Sequence, residues 1–332
     1  MNLHFLSYRI ILLSFFVLLE GVVSARHGRV LTDPCDLDIR HNGLYISSDQ
    51  ITVLMNGFSE YRIPLLLSIA SSYTFSPLVS SMIILWGNPL TPSPLLSQLS
   101  RNLSLISDSI HLIRQPSSSL NSRFLPRPDL IKTRAVLVCD DDVEVDSKSL
   151  EFALRIWASN QDSLVGFFAR SHDLDLSTKE WIYTVHPDRY SIVLTKIMIL
   201  KTEYLFKYSC GGPLLMEMRR VVDEMQNCED ILMNFVVADE VNAGPILIGS
   251  EKLRDYGDSR NEEKNDSFRE VGLSSRKGDH RKMRGFCIRE FHRILKRMPL
   301  RYSHGKVIDS VGEQGLCKKG GKLVHCDDFL LG

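Results

Sequence analysis

Five small or apolar residues in a row, Ala135-Val136-Leu137-Val138-Cys139, run directly into three consecutive carboxylates, Asp140-Asp141-Asp142. A short continuous apolar run reads as a strand buried on both faces, which belongs in the middle of a sheet covered by helices. The acids then fall where that strand leaves the sheet, the end at which open α/β sheets place their ligands. Adjacent aspartates repel one another and form strands and helices poorly, so something must offset their charge. Carboxylate oxygens suit hard divalent cations such as Mg²⁺ or Mn²⁺.

Three readings compete for the triplet. It can be a solvated acidic turn. It can be a calcium loop, since Asp140, Asp142, Glu144, Asp146 and Glu151 fall at positions 1, 3, 5, 7 and 12 of an EF-hand spacing. Val145 then occupies the sixth position, where that loop needs glycine, and a strand rather than a helix leads in. The third reading is a metal site that holds the diphosphate of a nucleotide-sugar.

The surrounding pattern predicts strands at Ile51–Met55, Ser81–Trp86, Ile110–Ile113 and Leu164–Phe168, with a further pair between Trp181 and Leu200. Helices are expected at Arg62–Ala70, Ser93–Leu99, Ser147–Ala158, Leu214–Met225, Glu229–Ala238 and Arg284–Met298, with Ser147 as an N-cap. Strands alternating with helices imply a parallel sheet of right-handed βαβ units. Residues 116–128 read as a loop, and the charged run 251–278 as a surface loop. No Walker or Rossmann glycine fingerprint occurs.

Lys+Arg and Asp+Glu both number 40, so the formal net charge is zero, and no basic half interleaved with aromatics points to nucleic acid. The N-terminus is the compositional exception. Arg9 precedes the apolar run Ile10–Leu19, and Val23-Ser24-Ala25 fits a secretory cleavage site. Residues 1–25 thus read as a cleaved signal or a signal-anchor giving membrane association, and residues 26–49 as a stem. The main domain is expected over 50–300, followed by an extension over 301–332.

Of the seven cysteines, an odd number for an oxidising compartment, Cys139 lies in the buried strand and is expected to stay a thiol. Cys317 and Cys326 read as a local bridge. The sequons Asn102-Leu103-Ser104 and Asn265-Asp266-Ser267 fit a lumenal protein.

From about Gln50 to Met298 the chain resembles the exostosin-like glycosyltransferases, family 64, and its short plant members most. The segments that carry the resemblance run in order: Asn121-Ser122-Arg123-Phe124, Thr133–Leu137 with Asp140-Asp141-Asp142, Tyr190–Thr195, Asn227–Phe235, Gly272–Arg276 and Arg284–Cys287. The resemblance implies a nucleotide-diphospho-sugar transferase (GT-A type) fold with a mixed, mainly parallel central sheet. It implies a sugar transfer that retains anomeric configuration, from a nucleotide-sugar donor to a glycan or sphingolipid-type acceptor, in the secretory lumen, with the Golgi expected. The donor base, uridine or guanosine, stays open.

By the same resemblance Asp142 binds Mn²⁺, while Asp140 and Asp141 face ribose, sugar or metal-bound water. Asn56, Arg62, Asn88, Asn121 and Arg123, near the ends of the first strands and ahead of the central one, are candidates for the donor pocket. The family commonly carries another amide at Asn56. Asparagines beside Gly57 and Gly87 also suit plain turns, and Arg62 also reads as a helix-surface charge. Asp230 matches the family's aspartate facing the reacting sugar and the acceptor, with Glu229 pointing elsewhere. Arg284 matches the arginine that reaches the leaving diphosphate, a task suited to a planar, always-charged donor. Tyr190 and Arg276 are candidates for the acceptor side, and Cys228 pairs with Cys287. A non-catalytic glycan-binding or partner-assisting protein of the same fold is the competing class.

Overall fold

Continuous apolar strands need cover on both faces, and the chain supplies it. A computed structural model describes residues 47–250, 253–257, 279–309 and 316–325, together with Cys35. Its centre is an eight-stranded sheet. One half is parallel, in the order β4-β1-β2-β3: β1 spans Ser47–Gly57, β2 Val79–Trp86, β3 Ile110–Arg114 and β4 Thr133–Asp140. The other half holds β6 (Val165–Gly166), β11 (Ile246–Ile248) and β13 (Lys306–Val307), also parallel. Between them lies β10 (Ile197–Lys201), antiparallel to both neighbours. The expected α/β architecture with a mixed, mainly parallel sheet is therefore present.

Side chains alternate strictly across this sheet. Leu54, Ile83, Leu85, Val136, Val138, Met198 and Leu200 face one core. That core is covered by α4 (Glu203–Cys210), α5 (Pro213–Met225), α6 (Glu229–Val241) and α7 (Asp279–Leu295). Ile51, Val53, Met55, Met82, Ile84, Leu137, Cys139, Ile197 and Ile199 face the other. Over them lie α1 (Ile63–Thr74), α2 (Ser93–Ile106) and α3 (Ser147–Ala158). The α6 helix is apolar on nearly every side, and every residue from Glu229 to Ala238 is buried. A smaller sheet, β8 (Glu180–Thr184), β7 (Ala169–Asp175) and β9 (Ile192–Val193), carries α7 on its outer strand.

Several expectations change. β1 begins at Ser47, inside the stretch read as stem, and β13 brings Lys306 and Val307 into the main sheet beyond residue 300. The strand expected at Leu164–Phe168 shrinks to two residues, while β7 and α4 were not foreseen. A 3-10 turn, Leu120–Phe124, lies within the expected loop. The α3 cap is Asp146, not Ser147: its carboxylate accepts from Ser149 N at 2.7 Å, and Ser147 is already the first helical residue. Within the charged run, β12 (Leu253–Asp255) pairs antiparallel with β5 (Val143–Val145).

Cys228–Cys287 is bridged as expected, and Cys139 is a buried thiol. The other bridge, Cys35–Cys210, joins residues 175 apart, a pairing that spacing gave no reason to choose. The hairpin β14 (Leu316–Lys319) and β15 (Lys322–His325) turns through Gly320 and Gly321, whose φ of 57° and 80° suits the left-handed turn such a hairpin needs. Residues 1–25 and Cys326 lie outside the described residues. Among the described residues no helix is long and apolar enough to cross a membrane.

Two tests follow from buried polar groups. The Asn234 amide knits α6 to β9: its Nδ2 donates to Val193 O and Asp230 O, both at 2.8 Å, and its Oδ1 accepts from Val193 N at 3.0 Å. Asn234→Leu strands both backbone groups of a buried residue and should cost about 3 kcal/mol. That appears as a fall of several degrees in the thermal midpoint.

His172 is buried, stacked on Tyr302 with ring centroids 4.7 Å apart, and its Nδ1 lies 2.7 Å from Ser191 Oγ. Burial holds its pKa down at about 4, against a smaller opposing pull from Asp173. The unfolded chain therefore takes up a proton below about pH 6.5 that the folded chain refuses, so this group removes stability as pH falls from about 6.5 to 4. His172→Gln should flatten that part of the pH–stability curve relative to the wild type, measured by thermal melts.

Candidate functional site

The register of the parallel strands sets the site. Asn56, near the end of β1, lies opposite Asp140 on β4 and Leu85 on β2. The carboxyl ends of these strands therefore reach one level, and Asp141 and Asp142 turn the chain from β4 into β5. Asp141 and Asp142 are 3% and 9% exposed, low enough that their charges need protein partners.

Burial pushes Asp140 up to about 7, against Arg123 and with Asp142 and Glu229 adding to the rise. It pushes Asp141 up to about 6, with Asp142 adding and Arg62 opposing. Asp142 is raised as well, chiefly by burial, while Arg62 and Lys196 oppose.

Two arginines answer these acids, and a third pairs with Asp230 at the start of α6. Arg62 ends the 3-10 turn Glu60–Arg62, and its Nη1 lies 3.0 Å from Asp141 Oδ1 and 2.9 Å from Asp142 Oδ2. Arg123, on the 3-10 turn before β4, places Nη1 3.3 Å from Asp140 Oδ1 and 3.1 Å from Glu229 Oε1. Arg284, on α7, donates to Asp230 Oδ2 at 2.6 Å and to Asn227 Oδ1 at 3.0 Å, and stacks 4.5 Å over the Tyr183 ring. Glu229 and Asp230 are the first two residues of α6, where the helix dipole favours carboxylates. The residue before them, Cys228, sits at φ 79°, a left-handed conformation costly for a non-glycine residue. Its bridge to Cys287 fixes that turn beside Arg284.

The other side of Asp142 is closed by the segment containing β12. Tyr256 N donates to Asp142 O at 2.8 Å, and Lys196 Nζ pairs with Asp255 Oδ2 at 2.5 Å. Gly257 lies so close that an added Cβ would overlap Asp142 Oδ2.

Within this network some buried polar atoms have no hydrogen-bond partner among the described residues: Asp141 Oδ2, Arg123 Nε and Arg284 Nε. Such atoms cost about 1–3 kcal/mol each unless a ligand completes them. An unpaired acceptor and unpaired donors within one network suit a ligand carrying both cation and anion, such as a metal diphosphate. The hard oxygens of Asp142 and Asp141 fit a divalent cation. Among the described residues no group of three metal-binding side chains converges. A cation here would thus take one or two carboxylates and complete its shell from phosphate oxygens and water.

The expected site residues divide. Asp140, Asp141, Asp142, Arg62, Arg123, Asp230 and Arg284 form one connected cluster, and Arg62 is an ion-pair partner rather than a surface charge. Asn56 lies at their level. Asn88 Oδ1 accepts from Leu90 N at 3.0 Å, the turn use of that residue. The Asn121 amide is engaged within the protein: its Nδ2 donates to Arg219 O at 2.9 Å, and its Oδ1 accepts from Tyr208 at 2.5 Å. The Tyr190 hydroxyl is held between Leu247 N and Gly305 O, at 2.9 and 2.7 Å, where it ties β11 to the chain before β13. Arg276 lies outside the described residues. Glu229, Lys196, Asp255 and Gly257 were not foreseen. Glu229 alone had a signal, its place beside Asp230; it points away from Asp230 as expected, toward Arg123 and the Asp140 side of the cluster.

The model of the glycosyl transferase family 64 domain matches residues 51–312. The chain is 63% identical over 299 residues to glycosyltransferase family protein 64 C3 of Arabidopsis thaliana, covering 89% of this chain and 91% of that one. It is 30% identical over 273 residues to glycosylinositol phosphorylceramide mannosyl transferase 1 of the same plant, covering 78% and 76%. Human exostosin-like 2 is 26% identical over 319 residues, covering 92% and 91%.

The contact at Gly257 gives a direct test of this geometry. Gly257→Ala should displace the Asp142 carboxylate, so that a divalent cation held there would bind about tenfold more weakly, while the thermal midpoint changes little. Calorimetry with Mn²⁺, beside a melt, reads both.

Proposed function

The chain belongs to glycosyltransferase family 64 and is a glycosyltransferase, and we propose that it moves a hexose, with retention of anomeric configuration, from a nucleotide-diphosphate donor to a glycan or glycolipid. The observation that carries this reading is the buried cluster at the ends of β1 and β4, where acids and arginines are paired but Asp141 Oδ2, Arg123 Nε and Arg284 Nε stay unfilled. A relative at 30% identity is named for mannosyl transfer to glycosylinositol phosphorylceramide, which favours a sphingolipid-type acceptor and mannose.

In this reading Asp142, with Asp141 beside it, holds Mn²⁺. When bound, the ion neutralises the negative charge of the departing nucleotide diphosphate. Asp140, Asp141, Arg62, Arg123 and Asn56 orient the donor. Arg284 offers a fixed guanidinium to the phosphate oxygens, already placed and shielded from water, so little reorganisation accompanies the charge that develops there. Asp230, steadied by Arg284 and the start of α6, orients the acceptor hydroxyl and takes its proton or faces the positive anomeric carbon. The bridged cysteines, together with the apolar run at Ile10–Leu19, favour the lumen of the secretory pathway, and within it the Golgi.

Purified protein should release nucleotide from one member of a nucleotide-sugar panel in the presence of Mn²⁺, and Asp142→Ala should lower that rate at least a hundredfold. Mn²⁺ chelation should do the same. If a folded protein neither binds a nucleoside diphosphate nor hydrolyses any donor, the non-catalytic alternative replaces this reading. Because burial raises Asp140 and Asp141 to about 7 and about 6, protons compete with the cation as pH falls through that range. The thermal stabilisation given by Mn²⁺ should therefore be large at pH 8 and nearly absent at pH 5.5.

A further inference from the structure

One buried acid of the cluster has no part in the reading above. Glu229 is 5% exposed, and its Oε1 accepts from Thr195 Oγ1 at 3.2 Å and lies 3.1 Å from Arg123 Nη1. The same nitrogen of Arg123 lies 3.3 Å from Asp140 Oδ1. One buried cation is therefore shared by two carboxylates, one on the first turn of α6 and one at the end of β4, while its Nε stays unpartnered.

A plain structural ion pair needs no such sharing. A guanidinium with one acid frequently closes on it with two parallel bonds. Here one nitrogen of Arg123 serves both acids, hydrogen-bonding to Asp140 and lying slightly closer to Glu229, while the Asp140 side chain stays 29% exposed. The Thr195 hydroxyl fixes Glu229 in turn. We propose that Glu229 is a positioning residue of the donor site: through Arg123 it sets the place and charge of the Asp140 pocket, and it couples that pocket to the helix that carries Asp230. The inference rests on the transferase reading and extends it to a residue on the far side of the arginine.

Without the Glu229 charge, Arg123 moves wholly onto Asp140 and closes the carboxylate that the donor would meet. Glu229→Gln keeps the shape and the bond from Thr195, and should weaken binding of the cognate nucleoside diphosphate about tenfold. Uridine and guanosine diphosphates, each with Mn²⁺, are the probes, read by calorimetry on the full chain with a melt to establish folding. Donor KM should rise while acceptor KM stays unchanged, a split that general loosening of α6 would not give.

In an Arg123→Gln background the same change should add no further loss, because the residue it acts through is gone. The paired Glu229→Gln, Arg123→Gln variant removes both charges together, so neither remains buried alone. Thr195→Val, which frees Glu229 without touching any charge, should weaken binding about threefold.

The proposal is overturned by affinity within twofold of wild type in folded Glu229→Gln, by equal losses with and without Arg123, or by unchanged binding in Thr195→Val. Wild-type protein that binds neither diphosphate overturns the transferase reading, and this inference with it. Wild-type binding that Glu229→Gln leaves intact overturns this inference alone.

Discussion

Three neighbouring carboxylates, two of them buried and the third only partly exposed, are the constraint around which the rest of the structure is arranged. Left alone, such a group would take up protons or unfold the strand end that carries it. The chain answers with cations drawn from distant positions: Arg62 after β1, Arg123 before β4 and Lys196 before β10. Each arrives on an element whose place is fixed by the sheet. The register of β1 against β4 does as much for the electrostatics as the charges themselves.

The start of α6 extends the same logic. Two successive side chains, Glu229 and Asp230, leave the helix in different directions and meet different arginines. One connects to β4 and the other to α7. The helix behind them is buried on all sides, which gives these acids a rigid mount. A helix with a polar outer face would have let this turn fray.

Much of this was legible in the residues. The central strands were readable because their apolar runs are short, continuous and bounded by Gly, Asn or Asp, so β1, β2 and β4 fall close to where the pattern put them. The triplet announced itself through charge density. What stayed hidden depends on distance in sequence. Arg62 looks like any helix-start arginine until the sheet brings it 79 residues along to Asp141. Strand β12 lies in a charged run whose composition favours a loop, and only pairing with β5 makes it a strand. Asn121 sits in a motif segment, yet its amide is taken by α5 and Tyr208. Position within a motif does not determine which way a side chain points.

The bridge between Cys228 and Cys287 ties together the two charged halves of the site. It closes a loop of 59 residues, worth about 4 kcal/mol by chain entropy, and it lies between the turn that begins α6 and the helix that carries Arg284. A chain still among reduced thiols has the sequence of the site without the covalent tie that holds its two charged halves in register. Reduction would leave the turn that begins α6 and the helix that carries Arg284 held together by packing and by the Arg284–Asp230 ion pair alone.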